Sequence, residues 1–231
     1  SPWSLVKITT VLSVKPRSSR VSSRRPIDAS IIDETDPSSI EPSLNMYDPV
    51  NGPPYSDEFI GRYRAAQEAR NHRITDWCHS ELIRLRSLDM FDRAFNVYRT
   101  WADLRLMDGN LDPSEREIGR CYAGDPKAAN FGPRGVGLTN TLRTWLSMWS
   151  LKDSHCRGAP HLNRITQPAL VIQSDGDTGV FPRDAKAIFD ELASGDKNIE
   201  MITGDHYLTT PDNARDSVAD LITDWLKAHH A

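Results

Sequence analysis

Residues 167–182, Gln-Pro-Ala-Leu-Val-Ile-Gln-Ser-Asp-Gly-Asp-Thr-Gly-Val-Phe-Pro, and residues 199–207, Ile-Glu-Met-Ile-Thr-Gly-Asp-His-Tyr, decide how this chain is read. The run from Ala169 to Ile172 is short, continuously apolar and preceded by Pro168, which predicts a strand buried on both faces of a parallel sheet. Arg183 to Ala193 repeats Ala185, Ile188, Phe189 and Leu192 at helical spacing, and Ile199 to Ile202 predicts the next strand. A strand, crossover helix and parallel strand in so little chain is wound right-handed, with the loops at the strands' carboxyl ends side by side. That order brings the loop holding Asp177 next to the turn holding His206. The closing helix, from about Asn213 to Ala228, is expected to face the sheet with Val218, Leu221, Ile222, Trp225 and Leu226.

Upstream of this β/α portion the chain reads as helical. Ser56 is placed to cap a helix whose first turn holds Asp57 and Glu58, with Phe59, Tyr63 and Ala66 following at helical spacing. The pattern continues or restarts through Ile74, Trp77, Leu82, Ile83 and Leu85, and a further helix is expected from Met90 to Thr100, carrying Phe91, Phe95 and Tyr98. A Pro/Gly-rich loop follows, and then Leu138 to Trp149 sets Leu142, Trp145, Leu146 and Trp149 on one stripe. Tryptophans at that spacing point first to packing, in a core or a lid.

The N-terminal quarter is different. Leu5 to Val14 suits a buried strand, the Ser/Arg-rich stretch from Lys15 to Pro26 is aperiodic, and Ile27 to Pro54 is rich in turn-forming residues. The expected organisation is therefore residues 1–54 as a strand and irregular connection, 55–160 as a helical cap or lid, and 161–231 as a β/α core portion.

Composition narrows the function. Lys and Arg number 28 against 32 Asp and Glu, a net charge of -4, so no basic field exists to draw nucleic acid or an anionic membrane. No apolar run reaches the length of a membrane span, and the first residues lack the pattern of a signal peptide. Cys78, Cys121 and Cys156 are odd in number and widely spaced, which suits reduced thiols and a cytoplasmic setting. The histidines show no metal-like spacing and no glycine-rich phosphate loop occurs, so no cofactor and no metal are expected.

From about Tyr47 onward the chain resembles α/β-hydrolases that carry a helical cap before the acid-bearing strand. The resemblance rests on residues 177–182 and on Gly204-Asp205-His206-Tyr207, together with Asn51-Gly52-Pro53-Pro54-Tyr55, residues 62–67 and the segment Gly119-Arg120-Cys121-Tyr122-Ala123-Gly124-Asp125-Pro126. It implies a partial α/β-hydrolase fold of few parallel strands with a cap insertion. It also implies Asp177 as the acid that orients the histidine, His206 as the general base, and Trp145 and Trp149 as lid residues beside an acyl substrate. The same family carries its nucleophile ahead of the cap, on a Gly-x-Ser-x-Gly elbow, and that motif occurs nowhere in these residues. Cys121 mimics an elbow superficially but follows no strand-like run.

Two readings follow from different classes. One is the cap and C-terminal portion of a serine hydrolase acting on an ester or related acyl compound, inactive without its nucleophile. The other is a non-catalytic remnant or interaction module, self-associating through an exposed sheet edge. Asp175 competes for the acid's role, since both aspartates lie in the same loop; the resemblance favours Asp177, because Thr178 to Pro182 follows it as the loop of that family does.

Overall fold

The computed structural model describes residues 44–48, 52–98, 100–132, 137–156 and 158–230. The expected strand from Leu5 to Val14, the Ser/Arg stretch and most of the connection to Pro54 lie outside the described residues. The chain is mixed α/β, with small sheets of few strands, and divides into two compact units. Among the described residues, one unit comprises those within 44–108 and 123–156, and the other 109–122 with 158–230.

The first unit is built on helix α1, Asp57–Arg86, a single 30-residue rod of about 45 Å. Ser56 caps it by accepting the Phe59 N–H at 3.2 Å, and the acids Asp57 and Glu58 sit at the positive end of its dipole. Ile74, Cys78 and Leu85 from its inner face join Phe95, Val97, Leu142 and Trp145 in one buried cluster. Asp89, at φ 57°, takes the chain out of helical geometry.

The helix expected from Met90 to Thr100 is replaced by strand β1, Ala94–Asn96. Burial shows why: Phe95 and Val97 point inward while Ala94 and Asn96 are exposed, a period of two that favours a strand over a helix. After the short helix α2, Pro126–Phe131, strand β2, Thr139–Thr141, pairs antiparallel with β1 in the register Phe95 to Asn140. Helix α3, Leu142–Thr144, then widens into a π-helical turn over Trp145–Trp149, closed by the Ser150 N–H donating to the Trp145 carbonyl at 2.9 Å.

The second unit holds the β/α portion. Helix α4, Ala159–Leu162, precedes strand β3, Ala169–Ser174; helix α5, Pro182–Glu191, leads to strand β4, Lys197–Ile202; and helix α6, Ala214–His230, closes the chain. Strands β3 and β4 are parallel, from Ala169 opposite Lys197 to Ser174 opposite Ile202, and α5 packs on both. Segment 109–122 is tied to the head of α5, where the Arg183 N–H donates to Asp112 Oδ2 at 3.0 Å and the Arg116 guanidinium lies 5.1 Å from the Phe181 ring centre.

The burial expected on both faces of β3 is not found: Ala169 to Ile172 are only half-buried, and Gln173 is the enclosed residue. Each strand has a single strand neighbour among the described residues. The apolar stripe of α6 is likewise half-buried, with Leu226 40% exposed.

Candidate functional site

The paired strands end together, and the site stands just beyond their carboxyl ends. The Asp175 N–H donates to the Ile202 carbonyl at 2.9 Å and the Gly176 N–H to the Gly204 carbonyl at 3.0 Å, so the strand pairing runs on into both loops. Gly176 is required by this approach, since a Cβ there would stand 2.8 Å from the Gly204 carbonyl oxygen. The two loops are thereby fixed against each other before any side chain of the site is placed.

Within the first loop Asp177 is buried, and its Oδ1 accepts the N–H groups of Gly179 at 2.7 Å and Val180 at 3.0 Å. Buried Gln173 holds the same loop from below, donating to the carbonyls of Ser174 at 2.8 Å and Val180 at 3.0 Å. In the second loop Asp205 accepts the N–H groups of Tyr207 at 2.9 Å and Thr209 at 2.8 Å, and also the Thr209 hydroxyl. Burial pushes the Asp205 carboxyl up. The hydrogen bonds from Thr209, Tyr207 and Leu208 outweigh that effect and hold it below its ordinary value of 3.8.

These supports bring Asp177 and His206 together, with Oδ1 of the aspartate 2.8 Å from Nδ1 of the imidazole. The Asp177 side chain is 7% exposed and that of His206 16%. A carboxylate only accepts, so Nδ1 carries the proton, and in the neutral ring Nε2 is the nitrogen that keeps its lone pair. Among the described residues nothing hydrogen-bonds Nε2. Such a ring can take a proton at Nε2 while the carboxylate stabilises the resulting cation. No described group of three or more His, Cys, Asp or Glu side chains is arranged to hold a metal ion.

Asp175 makes no bond to His206. Its Oδ1 accepts the Gly204 N–H at 3.2 Å and its Oδ2 the Thr203 hydroxyl at 3.3 Å, so it serves the backbone of the histidine's loop. Trp145 and Trp149 belong to the other unit. Trp145 is buried in that unit's apolar cluster, where its indole N–H donates to Thr75 Oγ1 at 3.1 Å, and Trp149 packs against the same cluster half-buried. Cys121 is buried.

Aromatic rings flank the imidazole. Tyr122 stacks on His206 with ring centres 4.4 Å apart and planes 13° from parallel, and Tyr207 meets His206 edge-on at 4.9 Å. Both tyrosines stand in segments that carry the family resemblance, but sequence reasoning gives no role to either of them, nor to Gln173 beneath the acid loop. The residue types were visible, but Tyr122 lies far away in the chain and no periodicity links it to the site.

No family model matches the chain, and no curated protein and no solved structure matches it significantly.

Proposed function

We propose that this chain is the cap and C-terminal portion of an α/β-hydrolase, and that Asp177 and His206 are the acid and base of a Ser-His-Asp mechanism acting on a carboxylic ester or related small acyl compound. The observation that supports this most directly is the 2.8 Å contact between Asp177 Oδ1 and His206 Nδ1 beyond the carboxyl ends of two parallel strands. In open α/β sheets that is where ligand sites are built. The base would take the proton of a serine hydroxyl as it attacks the acyl carbon, then return it to the leaving group. The serine and the oxyanion-hole amides lie outside the 231 residues, in which Gly-x-Ser-x-Gly does not occur. The acidic balance argues against nucleic acid or an anionic membrane as partner, and among the described residues no helix is long and apolar enough to cross a membrane. Three free cysteines suit a cytoplasmic setting.

Expression of the coding region with its upstream sequence, in parent and His206→Ala forms, tests this reading. The expected result is ester turnover and fluorophosphonate labelling at an elbow serine in the parent, with both reduced at least about a hundredfold in the variant. Undiminished turnover in the variant would place the base elsewhere. The 231-residue chain alone should remain unlabelled at serine.

One observation favours a second reading, a non-catalytic remnant that associates with itself. The outer edges of β3 and β4 are unpaired among the described residues, and Met201 on β4 is 51% exposed. A sedimentation measurement showing a concentration-dependent dimer, with no acyl turnover from any longer form, would favour it.

A further inference from the structure

We infer that Tyr122 is the positioning residue of this site: its ring is the flat support that fixes the plane of the His206 imidazole. This rests on the reading of His206 as a base but adds a residue that the triad logic does not supply. The hydrogen bond to Asp177 pins the ring at one atom, Nδ1, and leaves the imidazole free to tilt about that contact. A face-to-face neighbour removes the tilt. Tyr122 provides it, at 4.4 Å between centres and 13° between planes, while Tyr207 closes a second side, edge-on to His206 at 82° and to Tyr122 at 86°.

The loop of the acid makes room for the stack. At Gly179 a Cβ would stand 2.5 Å from Tyr122 Cδ1 and 3.1 Å from His206 Nδ1, so any larger residue there would drive the two rings and the carboxylate loop apart. The Gly179 N–H meanwhile donates to Asp177 Oδ1. One glycine thus serves both the carboxylate and the stack. The tyrosine face also suits the protonated ring, since a cation over an aromatic face is attracted by the ring's quadrupole. Segment 109–122 is anchored for this task by Asp112, which accepts the Arg183 N–H at the head of the helix that follows the acid loop.

The test uses the 231-residue chain with ¹⁵N-labelled histidine, and it reads the His206 Nδ1–H proton resonance and the tautomer from ¹⁵N shifts. In the parent and in Tyr122→Phe, which keeps the stacked face, the Nδ1–H resonance should be sharp and the Nδ1–H tautomer dominant. Tyr122→Leu should lose that resonance through faster exchange with water, while the amide signals of 169–174 and 197–202 stay in place. A resonance retained in Tyr122→Leu would show that Asp177 holds the ring alone, and one lost in Tyr122→Phe would make the hydroxyl, not the face, responsible; either overturns the inference. Should Tyr122→Leu fail to fold, Tyr122→Met serves instead, since it removes the flat face and leaves the acid loop untouched: loss of the resonance with intact strand amides supports the stack, and retention refutes it. None of these readings requires turnover, so they stand or fall separately from the hydrolase activity.

Discussion

Asp175 holds the backbone N–H of Gly204 at 3.2 Å, two residues before His206, whereas Asp177, two positions along the same loop, holds the imidazole itself. Neighbouring aspartates therefore divide the work: one fixes the loop, the other the side chain that the loop presents.

Replacing Asp175 by Ala should consequently disturb the site without touching it. Two hydrogen bonds to a carboxylate are lost, one from Gly204 N–H and one from the Thr203 hydroxyl, which is expected to cost about 1–3 kcal/mol in chemical denaturation. The His206 Nδ1–H resonance should broaden as the loop loosens. An unchanged denaturation midpoint would mean that the strand hydrogen bonds alone hold the two loops together.

Asp177→Asn offers a sharper separation. In the serine protease triad an asparagine in the acid's place leaves the histidine in the wrong tautomer. Here Oδ1 accepts two backbone N–H groups, from Gly179 and Val180, besides Nδ1 of His206. Those two donors should pin the amide with its oxygen in the Oδ1 position and its nitrogen turned away. The expected outcome is an Asn variant that keeps the Nδ1–H tautomer while the imidazolium loses its counter-charge. Nitrogen-15 shifts showing a switch to the Nε2–H tautomer would contradict this.

Asp205 sets an acid limit. Its carboxyl is held below 3.8 in the folded chain, so its contribution to the histidine turn is fully present above that value and is lost as the pH falls through the lowered one. A titration followed at the Thr209 amide should accordingly show a midpoint below 3.8. A midpoint at or above it would remove the turn's three-residue hydrogen-bond set from the list of its supports.

Trp145 should report on stability. It is 5% exposed, packs edge-on to Phe95 at 6.2 Å and donates to Thr75. Truncation to Ala is expected to cost about 3–5 kcal/mol from the cavity left behind. Calorimetry giving a loss under about 1 kcal/mol would mean that this unit closes up around the gap.

The order of strand, acid loop, helix, strand and histidine turn was legible because it is written in local patterns: a Pro-led apolar run, helical spacing from Ala185 to Leu192, and a second short apolar strand. So was the cap at Ser56. The stretch from Phe91 to Tyr98 misled, because spacings of four and three also fit a segment in which Phe95 and Val97 alternate inward; its pairing with residues 139–141 decides the matter, and pairing partners leave no local trace. The strand's half-exposure was equally hidden, since an apolar run reports what can be buried, not how many neighbours arrive to bury it. The stacking of Tyr122 on His206 is illegible for the same reason: partners distant in the chain have no period.

The pairing of Ala169 through Ser174 with Lys197 through Ile202 also bears on how the site opens. Asp177 and His206 are 29 residues apart, and closing a loop of that length carries an entropy cost that grows only with the logarithm of its size. The strand ladder meets that cost once, so the aspartate–histidine contact forms with almost none of its own. Its lifetime should follow the ladder: amide protons of β3 and β4 and the protection of the imidazole ought to exchange as one cooperative unit, opening together or not at all.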